Sequence, residues 1–276
     1  RRQRQMCIRD SCYNKMNPEI VQKFSDKFLP EEKEIIALIE TRTDGASYYQ
    51  GAWVPSNDPL AYIDVATNEL FYKNARIEWL VPDNNWKYFF EAQKAFRLKV
   101  RPQKPGNAAE VFQHTFMLVE ILEEDVIEPR FEAILEEYNT EVTYEDDDFS
   151  LELNKIYGHF EGGMHYEEVE EGLSLNVHTN GIEKLKELLN LFRQTALVKF
   201  KVWIEQLKAF AAGKLTDLAN KWQKGEDATA PEITPERFAE RMCITELVLF
   251  DNKRFCIYFD DDDMFWGHAI TVYGNL

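Results

Sequence analysis

The sequence predicts an α+β protein, in which a small antiparallel β unit is followed by an α+β domain with helices packed on an antiparallel sheet. Short segments that alternate between apolar and polar residues fill much of the first half, and this is the period of a half-buried strand. Between residues 182 and 222 the apolar residues instead recur every three or four positions, as in an amphipathic helix. Three further short apolar segments close the chain between residues 244 and 273.

The first residues are expected to be foreign to the natural protein. Residues 1–11 match one reading frame of a common transposon-type sequencing adaptor, so we exclude them from the fold. At the other end a Gly-Asn pair indicates the start of a turn. We therefore expect the sequence to be a fragment that continues at both ends.

An N-terminal helical segment is predicted over residues 12–44. Asn17 followed by Pro18 is typical of a helix start, and a first helix is predicted over residues 20–28. Pro30 and Glu31 predict a second helix that ends at about Thr41.

A small β domain is predicted over residues 45–128, as a barrel or a strongly curved sheet. Its candidate strands are rich in aromatic and β-branched residues and are separated by Pro, Asn, Asp and Gly. They are residues 48–54, 61–64, 69–71, 75–80, 96–101 and 111–122. A helix from Glu128 to about Tyr138 and an acidic linker over residues 141–148 are expected to connect this domain to the next, within residues 129–149.

The C-terminal α+β domain is predicted over residues 150–276. Paired strands are expected at 156–169 and 173–178, followed by a long helical region that Gly213 breaks or kinks. Thr234 and Pro235 predict the start of a short helix. Three strands are then expected at 244–250, 254–260 and 265–273, the last two joined by an acidic turn.

Composition excludes several classes of protein. An apolar fraction of 45% is typical of a folded chain rather than a disordered one, and no apolar run is long enough to span a membrane. Outside the adaptor segment, Cys12, Cys243 and Cys256 have no paired spacing, so we expect neither a disulfide framework nor a zinc knuckle. We therefore expect a cytoplasmic protein without a cofactor.

The net charge of −17 is concentrated in one region. Residues 117–171 contain nineteen Asp and Glu against two Lys and Arg, whereas the rest of the chain has thirty of each. Residues 182–224 are in turn basic, with nine Lys and Arg against four acids. A solvated acidic face explains this distribution, and so does a surface that binds a basic protein partner. Nucleic-acid binding is disfavoured because phosphates need clustered positive charge.

The end of the chain resembles a known family. The residues that carry the resemblance lie in four short segments, namely Asn220-Lys-Trp222, Ile233-Thr-Pro-Glu-Arg-Phe238, Asp260 to Asp263, and Phe265-Trp-Gly-His-Ala-Ile270. Together they are similar to a bacterial family of unknown function, number 2262 in the domain-of-unknown-function series. The resemblance covers about residues 150–276, and the first half is similar to the β domain that often precedes this family. It implies no activity.

The same segment provides the candidate binding residues. They are Asp260, Asp261, Asp262, Asp263, Phe265, Trp266, Gly267 and His268. If residues 265–273 form a strand, then Trp266 and His268 share one face of it with Ile270. Carboxylates in a turn suit a hard cation, so Asp261, Asp263 and His268 are candidate metal ligands and His268 is the candidate catalytic base. A hydrogen-bonded structural histidine and a solvated acidic hairpin turn explain the same residues without a ligand.

Two functional hypotheses follow, and neither is supported by a catalytic motif. The sequence contains no His-Glu-x-x-His pair, no Cys-x-x-Cys, no Gly-x-Ser-x-Gly and no phosphate-binding glycine loop. The first hypothesis is a non-enzymatic protein–protein interaction module. One concrete version of it is an immunity-type antitoxin whose acidity suits a basic toxin. The second is a metal-dependent enzyme or metal-binding protein centred on His268 and Asp260–Asp263. A purely structural domain of a longer chain is a third alternative.

Overall fold

The computed structural model describes residues 16–43, 45–82, 90–106, 112–166, 169–226 and 229–276. The chain divides into two units, the first ending at Asn139 and the second comprising Thr140–Leu276. The predicted adaptor segment lies outside the described residues. Within the described part of the chain, no helix is both long and apolar enough to cross a membrane.

The first unit is built on an eight-stranded mixed sheet. Its strands are β1 (Lys33–Ile39), β2 (Ala46–Tyr49), β3 (Ala52–Asn57), β4 (Pro59–Asp64), β5 (Glu69–Tyr72), β6 (Ala75–Glu78), β7 (Ala95–Pro102) and β8 (His114–Glu124). They lie in the order β2-β3-β6-β8-β7-β1-β4-β5, and β6 pairs with β8 in parallel. The unit also has helices α1 (Pro18–Ser25) and α2 (Pro129–Asn139).

The first sheet curls around its own core. Tyr62 on β4 contacts Phe116 on β8 with ring centroids 5.3 Å apart, although two strands separate β4 from β8 in the sheet. The two helices cover parts of the outer surface. Phe24 of α1 packs with Val54 and Met117, and Phe131 of α2 packs in a separate apolar cluster. The strong curvature expected for this unit is therefore present.

The prediction of a second N-terminal helix is wrong. Residues 33–39 form strand β1, which pairs with β4 on one side and β7 on the other. Ile35 and Leu38 are both buried but belong to different apolar clusters, because successive side chains of a strand point to opposite faces. A short apolar run of this kind fits the period of a helix as well as that of a strand. Here its pairing in the centre of the sheet decides that it is a strand. The first helix begins as predicted, since the Glu19 N–H donates to the Asn17 side chain at 2.9 Å.

The second unit is built on a seven-stranded mixed sheet. Its strands are β9 (Thr143–Glu145), β10 (Phe149–Asn154), β11 (His159–Tyr166), β12 (Val169–His178), β13 (Cys243–Phe250), β14 (Arg254–Asp260) and β15 (Ile270–Asn275). Their order is β15-β14-β13-β12-β11-β10-β9, and β12 pairs with β13 in parallel. Helices α3 (Ile182–Thr195), α4 (Phe200–Glu226) and α5 (Pro235–Arg241) lie between β12 and β13 in the chain.

The helices of the second unit pack on one face of its sheet. Apolar residues of α3, α4 and α5 share a core with alternate residues of the strands, such as Leu175 and Ile257. The other face, which we call the outer face, carries the intervening residues. The α+β class predicted from the sequence is thus confirmed.

Several details differ from prediction. Both sheets were predicted to be antiparallel, but each contains a parallel pair, β6 with β8 and β12 with β13, because a long crossover connects each of these strand pairs. The predicted acidic linker contains β9, whose residues pair with β10. Gly213 lies inside the continuous helix α4, and the helical region is interrupted earlier, at a 3₁₀ turn over Leu197–Lys199. The predicted last strand begins only at Ile270, because residues 262–267 form turns.

Candidate functional site

The acidic turn between β14 and β15 is organised by its own carboxylates. The buried Asp261 side chain accepts hydrogen bonds from the backbone N–H groups of Asp263 and Phe265. The Asp262 N–H donates to the Asp260 carboxylate at 2.8 Å. These bonds between side chains and backbone close a compact loop, which is what short acidic side chains favour in turns.

A basic residue from helix α5 neutralises part of this turn. The Arg241 Nε–H donates to the Asp262 carboxylate at 2.6 Å, and the guanidinium also donates to the Asp262 carbonyl oxygen. An arginine contact is one of the two ways in which adjacent aspartates relieve their repulsion, a bound cation being the other. The sequence did not single out Arg241 for this role.

The residues after the turn do not share a strand face as predicted. Phe265 is buried, with its ring 6.1 Å from Phe238 of α5, whereas Trp266 and His268 are exposed. Trp266 instead lies against Trp222 of α4, at 4.6 Å between ring centroids, and His268 lies at 6.0 Å from the same indole. The loop therefore forms a partly exposed aromatic patch rather than a buried histidine site.

The backbone of this patch is strained at one residue. Trp266 has a φ of 59°, in the left-handed region that bulky residues rarely adopt, and Gly267 follows with a φ of 80°. The buried Phe265 and the Asp261 bonds on its N-terminal side hold the loop in this conformation. The assignment of Trp266, Gly267 and His268 as binding residues stays a prediction.

Within the described ranges, no group of three or more His, Cys, Asp or Glu residues could hold a metal ion. Asp261 uses both carboxylate oxygens for backbone N–H groups, and Asp262 is paired with Arg241. With the Asp260 carboxylate, which accepts the Asp262 N–H, the turn thus satisfies three of its four carboxylates with the protein's own donors.

A second candidate site lies on the outer face of the second sheet, near its β9 edge. Glu152 on β10 lies directly opposite Glu161 on β11, and Glu145 of β9 lies opposite Ser150 of β10 on the same face. The three carboxylates line a shallow depression of about 300 Å³ together with Thr143, Ser150 and Gly162. Like charges directly opposite one another destabilise an antiparallel pair, so this arrangement has an electrostatic cost.

A pair of histidines lies beside Glu161, outside the lining of the depression. The rings of His159 on β11 and His178 on β12 stack at 5.1 Å between centroids, with 9° between their planes. The His159 Nε2 atom lies 3.3 Å from the Glu161 carboxylate. The pKa of His178 is lowered by burial and then by the neighbouring His159. At neutral pH His178 therefore adds little positive charge to offset the carboxylates.

Sequence reasoning missed this second site. The alternation in Phe149-Ser-Leu-Glu-Leu153 is a strand signal that could have placed Glu152 on an exposed face. The opposition of Glu152 and Glu161, and the stacking of His159 on His178, depend on the register between strands. That register is not readable from one sequence.

The residues that carry the family resemblance meet at one corner of the second unit. The Asn220 side chain donates to the Ile233 carbonyl at 2.9 Å and accepts from the Ile233 N–H at 2.8 Å, which joins α4 to the segment before α5. Trp222 contacts Phe265 at 5.4 Å between ring centroids. These residues hold the loop and the two helices together.

These residues all lie in a part of the chain that matches a known family. The family model described as "Uncharacterized protein conserved in bacteria (DUF2262)" matches residues 133–276, slightly more than half of the chain. The chain belongs to this family. The DUF2262 match includes the whole second unit, and therefore both candidate sites.

The first unit has a family match of its own. A model described as "Domain of unknown function (DUF7021)" matches residues 21–138, which precede most of the DUF2262 region. No curated protein and no solved structure matches the chain. The function has to be inferred from the residues themselves.

Proposed function

We propose that this protein is a non-enzymatic interaction module that binds a basic protein partner through the acidic depression of its second unit. The observation that carries the proposal is the direct opposition of Glu152 and Glu161, with Glu145 beside them. In a sheet, such a pair costs roughly 0.2–1 kcal/mol compared with a neutral pair. A Lys or Arg side chain from a partner converts that repulsion into attraction.

The residues around the depression support this proposal. Among the residues that the structure describes, neither Glu145 nor Glu152 makes an ion pair. Within the described part of the chain, the side-chain partners of the Glu161 carboxylate are Asn154 and His159. By contrast, Asp146 and Asp148, just before β10, share the Arg193 guanidinium. Among the described residues no Lys or Arg pairs with the three glutamates of the depression, so their charge is available to a partner.

An immunity-type antitoxin is the concrete form of this function. The regional charge of residues 117–171 attracts a basic protein over distance and raises its association rate, which suits a basic toxin such as a nuclease. We place the protein in the cytoplasm as part of the same proposal, because its cysteine spacing supports no disulfide framework.

The test uses a charge-neutralising triple variant and a matched control. Glu145→Gln, Glu152→Gln and Glu161→Gln together remove the acidic depression. Glu183→Gln, Glu205→Gln and Glu240→Gln remove the same charge from exposed helical positions. Each protein is used to capture partners from lysate of a bacterium that encodes the chain. The captured protein is then identified and purified, and its Kd is measured over a salt series.

We expect the captured partner to be basic and its affinity for the protein to fall as salt is added. The depression variant should bind it at least about ten-fold more weakly, which corresponds to about 1.4 kcal/mol, while the control variant should bind within about two-fold of the wild type. Capture of no basic protein, or equal binding by the wild type and the depression variant, contradicts the proposal.

A further inference from the structure

We propose that the partner's segment crosses the outer face of the second sheet, with its basic side chains at Glu152 and Glu161 and an apolar side chain near Tyr273. This inference rests on the proposed function and extends it from one depression to a whole surface. It specifies the partner as a segment that carries positive charge at one end and an apolar residue at the other.

One cross-strand row defines the path. Registers between neighbouring strands place six side chains in line across the outer face. In order from β10 to β15 they are Glu152, Glu161, Asn176, Val248, Cys256 and Tyr273. The residues on either side of each in its own strand mostly belong to the core beneath the helices, as Leu175 and Val177 do. The row therefore points away from the helices along its whole length.

The chemistry of the row changes in one direction. It begins with two exposed carboxylates and passes the Asn176 amide, which donates to Glu246 of the neighbouring row. It then passes Val248 and Cys256, which are apolar and only 6% and 1% exposed because neighbouring side chains cover them. It ends at Tyr273, which is 61% exposed although it is large and aromatic. A partner that is basic throughout would leave this apolar end unused.

The last three side chains of the row, Val248, Cys256 and Tyr273, include no Asp, Glu, Lys or Arg. Tyr258 lies beside Cys256 on the same strand and face, and its pKa is raised to about 12, chiefly by the neighbouring Cys256 thiol. The Tyr258 hydroxyl therefore stays neutral at physiological pH. Aromatic side chains of this kind, half exposed with one polar tip, are the residues that dominate binding energy at protein interfaces.

Strand spacing sets the length of the partner's segment. Neighbouring strands lie about 4.8 Å apart, so the midpoint of the Glu152–Glu161 pair lies roughly 19 Å from the midpoint of the Cys256–Tyr273 pair. An extended chain advances about 3.3 Å per residue, so about six residues span this distance. An even separation places the basic and apolar side chains on the same side of the segment.

The charge of the surface selects this occupant over others. A second copy of the chain carries the same net charge of −17 and is repelled, and a nucleic acid is repelled for the same reason. A basic segment is attracted, and the apolar end of the row contributes energy that salt does not screen.

The experiment measures binding of synthetic peptides by fluorescence anisotropy. One peptide has two Arg residues in a neutral Gly-Ser sequence. A second adds Leu about six residues beyond them, and a third moves this Leu by one residue. Four proteins are compared: the wild type, the double variant Glu152→Gln with Glu161→Gln, Tyr273→Ala, and the control Tyr72→Ala. Tyr72 is a matched control because it is 62% exposed on a strand of the other unit.

We expect Leu at six residues to tighten binding to the wild type by about ten-fold, because an apolar side chain that leaves water on binding adds affinity beyond its ordering cost. Tyr273→Ala should remove this gain and leave binding of the Arg-only peptide unchanged, whereas Tyr72→Ala should keep it. The displaced Leu should give a smaller gain.

The outcomes separate this inference from the proposed function. If the double Gln variant loses the Arg-only peptide but Tyr273→Ala keeps the gain from Leu, the row is not the path and this inference alone is wrong. If the double Gln variant binds the Arg-only peptide as well as the wild type does, the proposed function itself is contradicted. Self-association that sedimentation detects and Tyr273→Ala abolishes would instead make the face a contact between copies, and would also overturn the inference.

Discussion

The Arg193 guanidinium of α3 donates to the Asp146 carboxylate, and this contact joins the helix to the segment between β9 and β10. Burial raises the pKa of Asp146, but hydrogen bonds from Tyr144, from Arg193 and from two backbone N–H groups outweigh it. Together they bring that pKa down to about 2. The same guanidinium also donates to Asp148 at 2.7 Å. One arginine thus pairs with two acids of the most acidic region in the chain.

Acid should weaken the second unit through this contact. Because the folded pKa of Asp146 lies below its ordinary value of 3.8, its stabilisation is present above about pH 4 and is lost as the pH falls towards 2. The loss should be roughly 1–2 kcal/mol after allowance for solvent screening of a partly exposed pair. Urea unfolding from pH 5 to pH 2 measures it. The stability difference between the wild type and Asp146→Asn should shrink as the pH falls, and a constant difference would contradict the assignment.

Gly162 should not tolerate a side chain, whereas the neighbouring Gly163 should tolerate one. A Cβ atom at Gly162 would lie 2.2 Å from the Ser150 carbonyl oxygen on the adjacent strand, whereas a Cβ atom at Gly163 would meet nothing within 4 Å. We expect Gly162→Ala to lower the free energy of unfolding by about 2–3 kcal/mol, and Gly163→Ala to change it by less than about 0.5 kcal/mol. Equal stabilities of the two variants in urea unfolding would show that strands β10 and β11 are not paired in this register.

Arg101 should stabilise the first unit through oxygen atoms at the end of α1, and none of its described partners is a carboxylate. Its side chain is buried, and it donates to the Leu29 and Phe28 carbonyl oxygens and to the Ser25 hydroxyl at the end of α1. Arg101→Met leaves these acceptors without a donor, and we expect it to cost about 2–4 kcal/mol. Arg101→Lys keeps the charge near the helix C-terminus but not the fork of donors, so its cost should be intermediate. Thermal and urea unfolding measure the stability of each variant. A Lys variant that is less stable than the Met variant would contradict the expected order.

Divalent cations should leave the acidic turn unaffected. Asp260 and Asp261 accept backbone N–H groups and Asp262 is paired with Arg241, so three of the four aspartates already have donors. After chelator treatment, Mg²⁺, Ca²⁺, Mn²⁺ and Zn²⁺ should each give the same melting temperature for the wild type and for His268→Ala. A rise with one cation that His268→Ala abolishes would support the metal-binding hypothesis instead.

The helix starts were predictable because they depend on local chemistry. Asn17 with Pro18 and Thr234 with Pro235 each begin a helix, and each cap accepts a backbone N–H of the first turn. By contrast, the run at residues 33–39 suited both a helix and a strand, and only its position between β4 and β7 decided it. The stretch after Asp263 looked like a strand because it is apolar, but the Asp261 carboxylate bonds the backbone N–H groups that a strand would need.

The sequence by itself determined the α+β class, the capped helices, the concentration of acid in residues 117–171 and the family resemblance at the C-terminus. Each of these depends on residue type or on spacing along the chain. Only the tertiary structure decided that Glu152 lies opposite Glu161, that Trp266 packs on Trp222, and that six strands align their side chains from Glu152 to Tyr273. The physical reason is that strand register and side-chain contacts between distant segments depend on the packing of the whole unit, whereas caps and periodicity depend only on neighbouring residues.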